Sequence, residues 1–251
     1  MQKNPSVAKV ALITGAARRI GAEIAQTLHD AGMNIVLHYH VCEEEAASLC
    51  KRFNQKRERS AVAICADLEE PEIEKTLIQK ALEPWKRLDV LINNASRFYR
   101  TPFGEITDFA FDDLMKINLK APFLLAQAAA PALTKHGGCI INILDTHIDR
   151  PLRHYSIYCI SKSALAMATT VLAKELGPKV RVNGIAPGAI LWPEGENTLS
   201  QEAKDKIIAK TTLLRVGLPE DVAKAVLFFV CDANYATGQI LSIDGGRMLT
   251  G

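Results

Sequence analysis

Long apolar runs are missing from this sequence: no stretch approaches the ~20 consecutive apolar residues that a membrane span needs. Cysteine is sparse and unpatterned. Cys42, Cys50, Cys65, Cys139, Cys159 and Cys231 form no C-x-x-C pair, which argues against a disulfide scaffold or thiolate metal site and points to reduced thiols in a cytoplasmic protein. An excess of one charge is also lacking. Thirty basic against 28 acidic side chains leave a net charge of +2, unlike a dedicated nucleic-acid binder. One basic cluster, Lys51, Arg52, Lys56, Arg57 and Arg59, reads as a solvated helix end and loop. A secretory signal is not expected, because Lys9 interrupts the apolar run 7–13. No repeat, linker or low-complexity tract divides the chain, so one domain is expected over 1–251. What is present is 48% hydrophobic residues, enough at this length for a large core.

Short β-branched runs alternate with amphipathic stretches throughout. Strands are expected at 10–14, 34–38, 61–64, 90–92, 139–143, 180–185 and 238–243, and helices at 19–31, 43–56, 71–84, 109–135, 156–177, 201–210 and 219–231. That alternation predicts an α/β protein with a doubly wound parallel sheet covered on both faces. The irregular stretches 95–107, 144–155 and 187–200 follow strand ends, where ligands bind in such sheets.

The first strand runs into Thr14, Gly15, Arg18, Arg19 and Gly21 and then a helix, which would present backbone N–H groups and a positive helix end to a pyrophosphate. The spacing is not G-x-G-x-x-G, so a bare structural turn competes with the dinucleotide reading. Asp67 and Leu68 after the third strand would suit an adenine edge, and Asn93, Asn94 and Ala95 close the fourth beside the same crevice. The end of the second strand, His38, Tyr39, His40, has no carboxylate before Glu43, and Arg18 stands in the turn. This favours NADP(H) over NAD(H). The alternative is a surface arginine and two strand histidines without a ligand. A metal at His38 and His40 has no evident third ligand.

Tyr158 and Lys162 are one helical turn apart on one face. A neighbouring ammonium and a bound oxidised nicotinamide would favour the phenolate and bring the tyrosine into the range of acid–base work. Asp145 ends the preceding strand. It either caps the following turn or, in a partly dry site, donates or orients a proton. Phe98 and Trp192 read as walls for a flat polar heterocycle or as ordinary core packing.

Thr14, Gly15, Gly21, Asp67, Asn93, Asn94, Ala95, Asn118, Tyr158, Lys162, Pro187, Gly188, Asp244, Gly245 and Gly246, in that order, resemble the short-chain dehydrogenase/reductase family from residue 10 to 246. The resemblance implies a Rossmann fold and a nicotinamide cofactor held along Gly15, Arg18, Arg19, Ile20, His40, Asp67, Leu68, Asn94, Ala95, Ser96, Tyr158, Lys162, Pro187, Gly188 and Ile190. Catalysis would rest on Tyr158, Lys162 and Asn118, which would hold a relay water, with Lys162 also on the nicotinamide ribose.

Arg19 for the middle glycine, Ser96 after Asn-Asn-Ala, Asp145 for the usual serine, and His-Tyr-His at 38–40 are similar to the pteridine reductase branch, including its bacterial dihydromonapterin and dihydrofolate reductase relatives. That likeness implies a pterin or folate substrate stacked on Phe98 and touched by Arg19, Ser96, Asp145 and Tyr158, with Trp192 walling the pocket. Val41 and Cys42 depart from the arginine and small hydroxyl residue common there, which leaves Arg18, His40 and backbone N–H groups to grip a 2′-phosphate.

Two other functions compete. A 3-oxoacyl carrier-protein type carbonyl reductase would expect serine at 145 and gains nothing from Arg19 or Phe98. A non-catalytic NADP-sensing protein has no need of the Tyr158 and Lys162 pair. The segment 119–133 is rich in alanine on nearly every side, so it either packs within the chain or, as the family resemblance implies, joins a homotetramer.

Overall fold

The computed structural model describes residues 8–193, 195 and 198–249; residues 194, 196 and 197 of the third irregular stretch, with 1–7, 250 and 251, lie outside the described residues. The order is β1 (Val10–Ile13), α1 (Arg19–Asp30), β2 (Asn34–Tyr39), α2 (Glu43–Lys56), β3 (Ala61–Cys65), α3 (Ile73–Leu82), β4 (Val90–Asn93), α4 (Asp108–Met115), α5 (Ala121–Thr134), β5 (Cys139–Ile143), α6 (Ser156–Leu176), β6 (Arg181–Pro187), α7 (Gln201–Ala209), α8 (Pro219–Leu227) and β7 (Ile240–Ile243). All seven strands join one parallel sheet in the order β3-β2-β1-β4-β5-β6-β7, a Rossmann fold.

Strand side chains alternate between faces, so one run feeds two cores. Ala11, Ile13, Ile35 and Leu37 pack with Ile24 and Leu28 of α1, Leu49 and Phe53 of α2, and Val222 and Val226 of α8. Val10, Leu12 and Val36 pack with Leu77 of α3, Leu125 and Ala129 of α5, and Leu172 of α6. Each fully buried Leu, Ile or Phe contributes roughly 2 kcal/mol by leaving water. Burial on both faces is why β1 and β5 are apolar almost without interruption. The order reverses between β1 and β4, which places a crevice at their carboxyl ends.

One feature differs from the sequence reading. The helix expected at 109–135 is α4 and α5 joined by a widened π turn, Lys116–Lys120. Pro122 has no N–H to return to the carbonyl of residue 118, so the regular hydrogen-bond ladder loses a rung at this point. The basic cluster lies at the exposed end of α2 and the loop after it, as expected; within it Arg57, half-buried, donates to the carbonyls of Gly32 and Met33 and to Asn34 Oδ1, and Lys56 pairs with Asp30, tying the end of α2 to the α1–β2 loop. Helix α6 is long and apolar enough by length and composition to cross a membrane, but Ser161, Lys162, Ser163, Thr169 and Thr170 interrupt its apolar run and over half of the window is buried in the protein. It carries Tyr158 and Lys162 to a cavity.

Candidate active site

Thr14 and Asn94 build the floor of the crevice. Thr14 Oγ1 accepts the N–H groups of Asn94 (2.9 Å) and Ala95 (3.0 Å), and Asn94 Nδ2 donates to the carbonyls of Thr14 (2.8 Å) and Gly15 (3.0 Å). Gly15, at φ +61°, takes the left-handed turn that a side chain disfavours. Gly21 lies in the first turn of α1, where a Cβ would stand 2.3 Å from the Gly15 carbonyl oxygen. Only glycine lets α1 start this close to β1.

His38 is a residue the sequence reading left without a role. Its Nδ1 accepts the Gly15 N–H (3.1 Å) and its Nε2 lies 3.0 Å from the Ala66 carbonyl. A donor on one side and an acceptor on the other fix the tautomer with the proton on Nε2. Burial holds this ring well below its ordinary pKa, at about 4, so it is neutral. A polar residue closing the apolar run Ile35, Val36, Leu37 was the signal for it.

Two cavities meet at this turn. One, of about 370 Å³, is lined by Gly15, Arg18, Arg19, Ile20, His40, Val41, Cys42, Asn94, Ala95 and Ser96, with no carboxylate. Asp67 lies beside it, 3.7 Å from His40 Nε2, and Leu68 turns its side chain into the core. Helix α1 has neither a capping side chain nor an acidic residue in its first turn, which leaves its positive end to an anion. These residues fit a phosphorylated dinucleotide, with the Arg18 guanidinium and the His40 side chain near the end of β2.

The second cavity, of about 410 Å³, shares Arg19, Ile20, Asn94 and Ser96 with the first. It adds Phe98, Asp145, Tyr158, Lys162, Pro187, Gly188, Ile190 and Trp192, so the structure brings the expected substrate residues to one space. Arg19 Nη2 donates to the Trp192 carbonyl at 3.0 Å and closes the wall between the glycine turn and the loop after β6. The lining also includes Tyr155 and His147, which the sequence reading passed over. Tyr155 stacks on Phe98 with centroids 4.5 Å apart, and Phe98 meets the Tyr158 ring edge-on at 4.7 Å.

The Tyr158 hydroxyl donates to Asp145 Oδ2 at 2.6 Å, while Asp145 Oδ1 accepts the His147 N–H at 2.8 Å. The two readings of Asp145, turn cap and partner of the phenol, therefore both describe it. Lys162 Nζ donates to the Ile143 carbonyl at 2.9 Å and lies 6.0 Å from the Tyr158 ring centre. Burial, then the Asp145 charge, push the Tyr158 phenol well above its ordinary pKa. The Lys162 ammonium is aimed at the Ile143 carbonyl, and the nearest charge on the phenol is that of Asp145. Such a phenol keeps its proton at neutral pH and can donate it. Lys162 itself is lowered by burial to about 8, against the pull of Asp145.

Asn118 sits in the π turn, buried, and does not line either cavity. Its Oδ1 accepts from Ser96 Oγ (3.0 Å) and the Arg97 N–H (2.9 Å), and its Nδ2 donates to the Arg97 carbonyl and Ser161 Oγ (both 3.0 Å). All four hydrogen-bonding positions of the carboxamide side chain are used within the protein. Among the described residues no group of three or more His, Cys, Asp or Glu side chains could hold a metal.

A family model described as Enoyl-(Acyl carrier protein) reductase matches residues 15–248. Pteridine reductase 1 of Leishmania tarentolae is 32% identical, with 97% of each chain covered. The granaticin polyketide synthase putative ketoacyl reductase 2 of Streptomyces violaceoruber is 33% identical over 96% of this chain and 97% of its own. A crystal structure of a blue fluorescent protein from a metagenomic library, in complex with NADPH, superimposes with a TM-score of 0.88 at 34% identity, covering 95% of this chain and 97% of that one.

Proposed function

The chain belongs to the short-chain dehydrogenase/reductase family and takes NADP(H) as its cofactor, and from that premise we propose that it reduces a dihydropterin or dihydrofolate to the tetrahydro form. The observation that carries this reading is the Phe98 ring in the cavity wall, edge-on to a tyrosine whose hydroxyl is bonded to a carboxylate. A flat nitrogenous ring laid on Phe98 has its edge within reach of Tyr158, Asp145 and Ser96. NADPH held along the glycine turn would supply the hydride for the C=N carbon. Tyr158 delivers the proton to the ring nitrogen, and Asp145 holds the phenol in place until then. Arg19, at the junction of the two cavities, would reach the pyrophosphate and the ring substrate together. Trp192 walls the far side, and Lys162 orients the nicotinamide ribose.

The test is NADPH oxidation with dihydropterins, dihydrofolate and acetoacetyl thioesters compared side by side. Turnover of the thioesters alone would favour the carbonyl reductase to which the granaticin relative is similar. Serine is absent at 145, which counts against that outcome. The same reading expects a homotetramer in the cytoplasm. Phe123 on α5 and Met167 and Val171 on α6 are exposed and line an apolar groove, and an apolar helix face favours burial against another copy. A monomer at micromolar concentration in sizing experiments refutes that assembly.

A further inference from the structure

Phe98 stands in a stretch, 95–100, with no regular secondary structure, so something outside the backbone must decide where its ring lies. Along this stretch the side chains divide. Ser96 and Phe98 face the cavity, whereas Arg97 and Tyr99 line neither cavity and reach the same carboxylate on α4. That carboxylate is Asp113, which is buried. Its Oδ1 accepts from Arg97 Nη1, and its Oδ2 accepts from the Tyr99 hydroxyl at 2.7 Å. Arg97 also donates to Glu69, whose own N–H is bonded to Asp67 at the adenine side of the crevice. The neighbours of Phe98 on both sides are thus fixed to one point, and charge-assisted bonds to a buried carboxylate are the stiff kind.

We propose that Asp113 is a positioning residue: through Arg97 and Tyr99 it sets the place of the Phe98 ring, and so the affinity for a flat ring substrate, without touching substrate or cofactor. This rests on the reading of Phe98 as the platform. Glu69 cannot replace it, since it holds only the outer end of Arg97 and makes no bond to Tyr99. Asn118 clamps the backbone of residue 97 but reaches nothing beyond Phe98.

The experiment is a double-mutant cycle read by steady-state kinetics with NADPH and 7,8-dihydrobiopterin. Asp113→Asn is expected to raise the dihydrobiopterin KM about tenfold, a loss of placement rather than of contact, with kcat and the NADPH KM within about twofold. Tyr99→Phe, which keeps the ring and removes the hydroxyl's bond to Asp113 together with its longer contact to the Ala110 carbonyl (3.2 Å), should raise the same KM by a smaller factor. In a Phe98→Ala background neither change should raise it further. The proposal is overturned by an unchanged dihydrobiopterin KM in Asp113→Asn, by a parallel loss in kcat and both KM values, or by effects that multiply with Phe98→Ala. Should Asp113→Asn fail to fold, Tyr99→Phe decides by the same criteria. A Phe98→Ala enzyme with an unchanged dihydrobiopterin KM, or a wild type that does not reduce the compound, defeats the platform reading itself and this proposal with it.

Discussion

Gly21→Ala separates helix propensity from tertiary packing, because the two predict opposite signs. Gly21 occupies the first turn of α1, and by propensity alone alanine in place of glycine inside a helix stabilises by roughly 1 kcal/mol. The structure places the new Cβ 2.3 Å from the Gly15 carbonyl oxygen, 2.6 Å from Asn94 Nδ2 and 3.1 Å from the Ala16 Cα. Two of those neighbours are backbone, and the third is the carboxamide that ties β4 to the glycine turn. Relief therefore requires α1 to move away from β1, an overpacking change at the upper end of the usual range, about 3 kcal/mol. For a chain of this size that corresponds to a fall in Tm of roughly 6–12 °C. The movement also pulls the helix N-terminus from the dinucleotide cavity, so the NADPH Kd should rise about tenfold, equivalent to ~1.4 kcal/mol. Calorimetry and fluorescence titration measure the two effects. Gly137→Ala is the control: φ is +63° with nothing within 4 Å, so strain alone should cost about 1 kcal/mol and leave NADPH binding unchanged. A Gly21→Ala protein with an unchanged or raised Tm and normal NADPH affinity would refute the close-approach argument.

Four other outcomes are expected. Tyr158→Phe should lower kcat by about 10²- to 10⁴-fold while the NADPH Kd stays within twofold, and near-normal turnover excludes Tyr158 as the acid. Asp145→Asn removes a charge that raises the Tyr158 pKa, so the phenol should lose its proton at lower pH and the alkaline fall of kcat/KM should shift downward; an upward shift or none contradicts the assignment. Wild-type enzyme should prefer NADPH to NADH in kcat/KM, and Arg18→Ala should reduce that preference about tenfold through NADPH alone; equal losses with both cofactors place Arg18 away from the 2′-phosphate. His38 titrates at about 4 when folded against 6.5 when free, so the unfolded chain binds the extra proton between those values. Its contribution to stability is complete above about pH 6.5 and falls by roughly 3 kcal/mol toward pH 4. Urea midpoints measured across that window should decline in the wild type and less in His38→Asn; equal slopes exclude His38 as a source of the decline.

The strands and the crevice were legible in the sequence because a parallel sheet buried on both faces leaves a local trace, apolar runs closed by glycine, asparagine or aspartate. The positions of Tyr158 and Lys162 were equally local, since helical periodicity alone places them on one face. The break at Lys116–Lys120 had its signal in Pro122, but helix propensity over 109–135 concealed it. The exposed placement of the basic cluster was legible in charge composition, but not that Arg57 folds back on three backbone and side-chain oxygens.

By itself the sequence determined the layer architecture, the order of helix and strand, and which residue types end each strand, since these follow from periodicity, turn chemistry and charge along the chain. Only the tertiary structure decided which proton sits where. The phenol of Tyr158 faces Asp145 while the ammonium of Lys162 turns to a carbonyl, His38 is kept neutral under the glycine turn, and the Asn118 carboxamide is consumed by the loop beside Phe98. Those outcomes depend on distances between groups tens of residues apart and on how deeply each is buried, and neither quantity is written in local pattern.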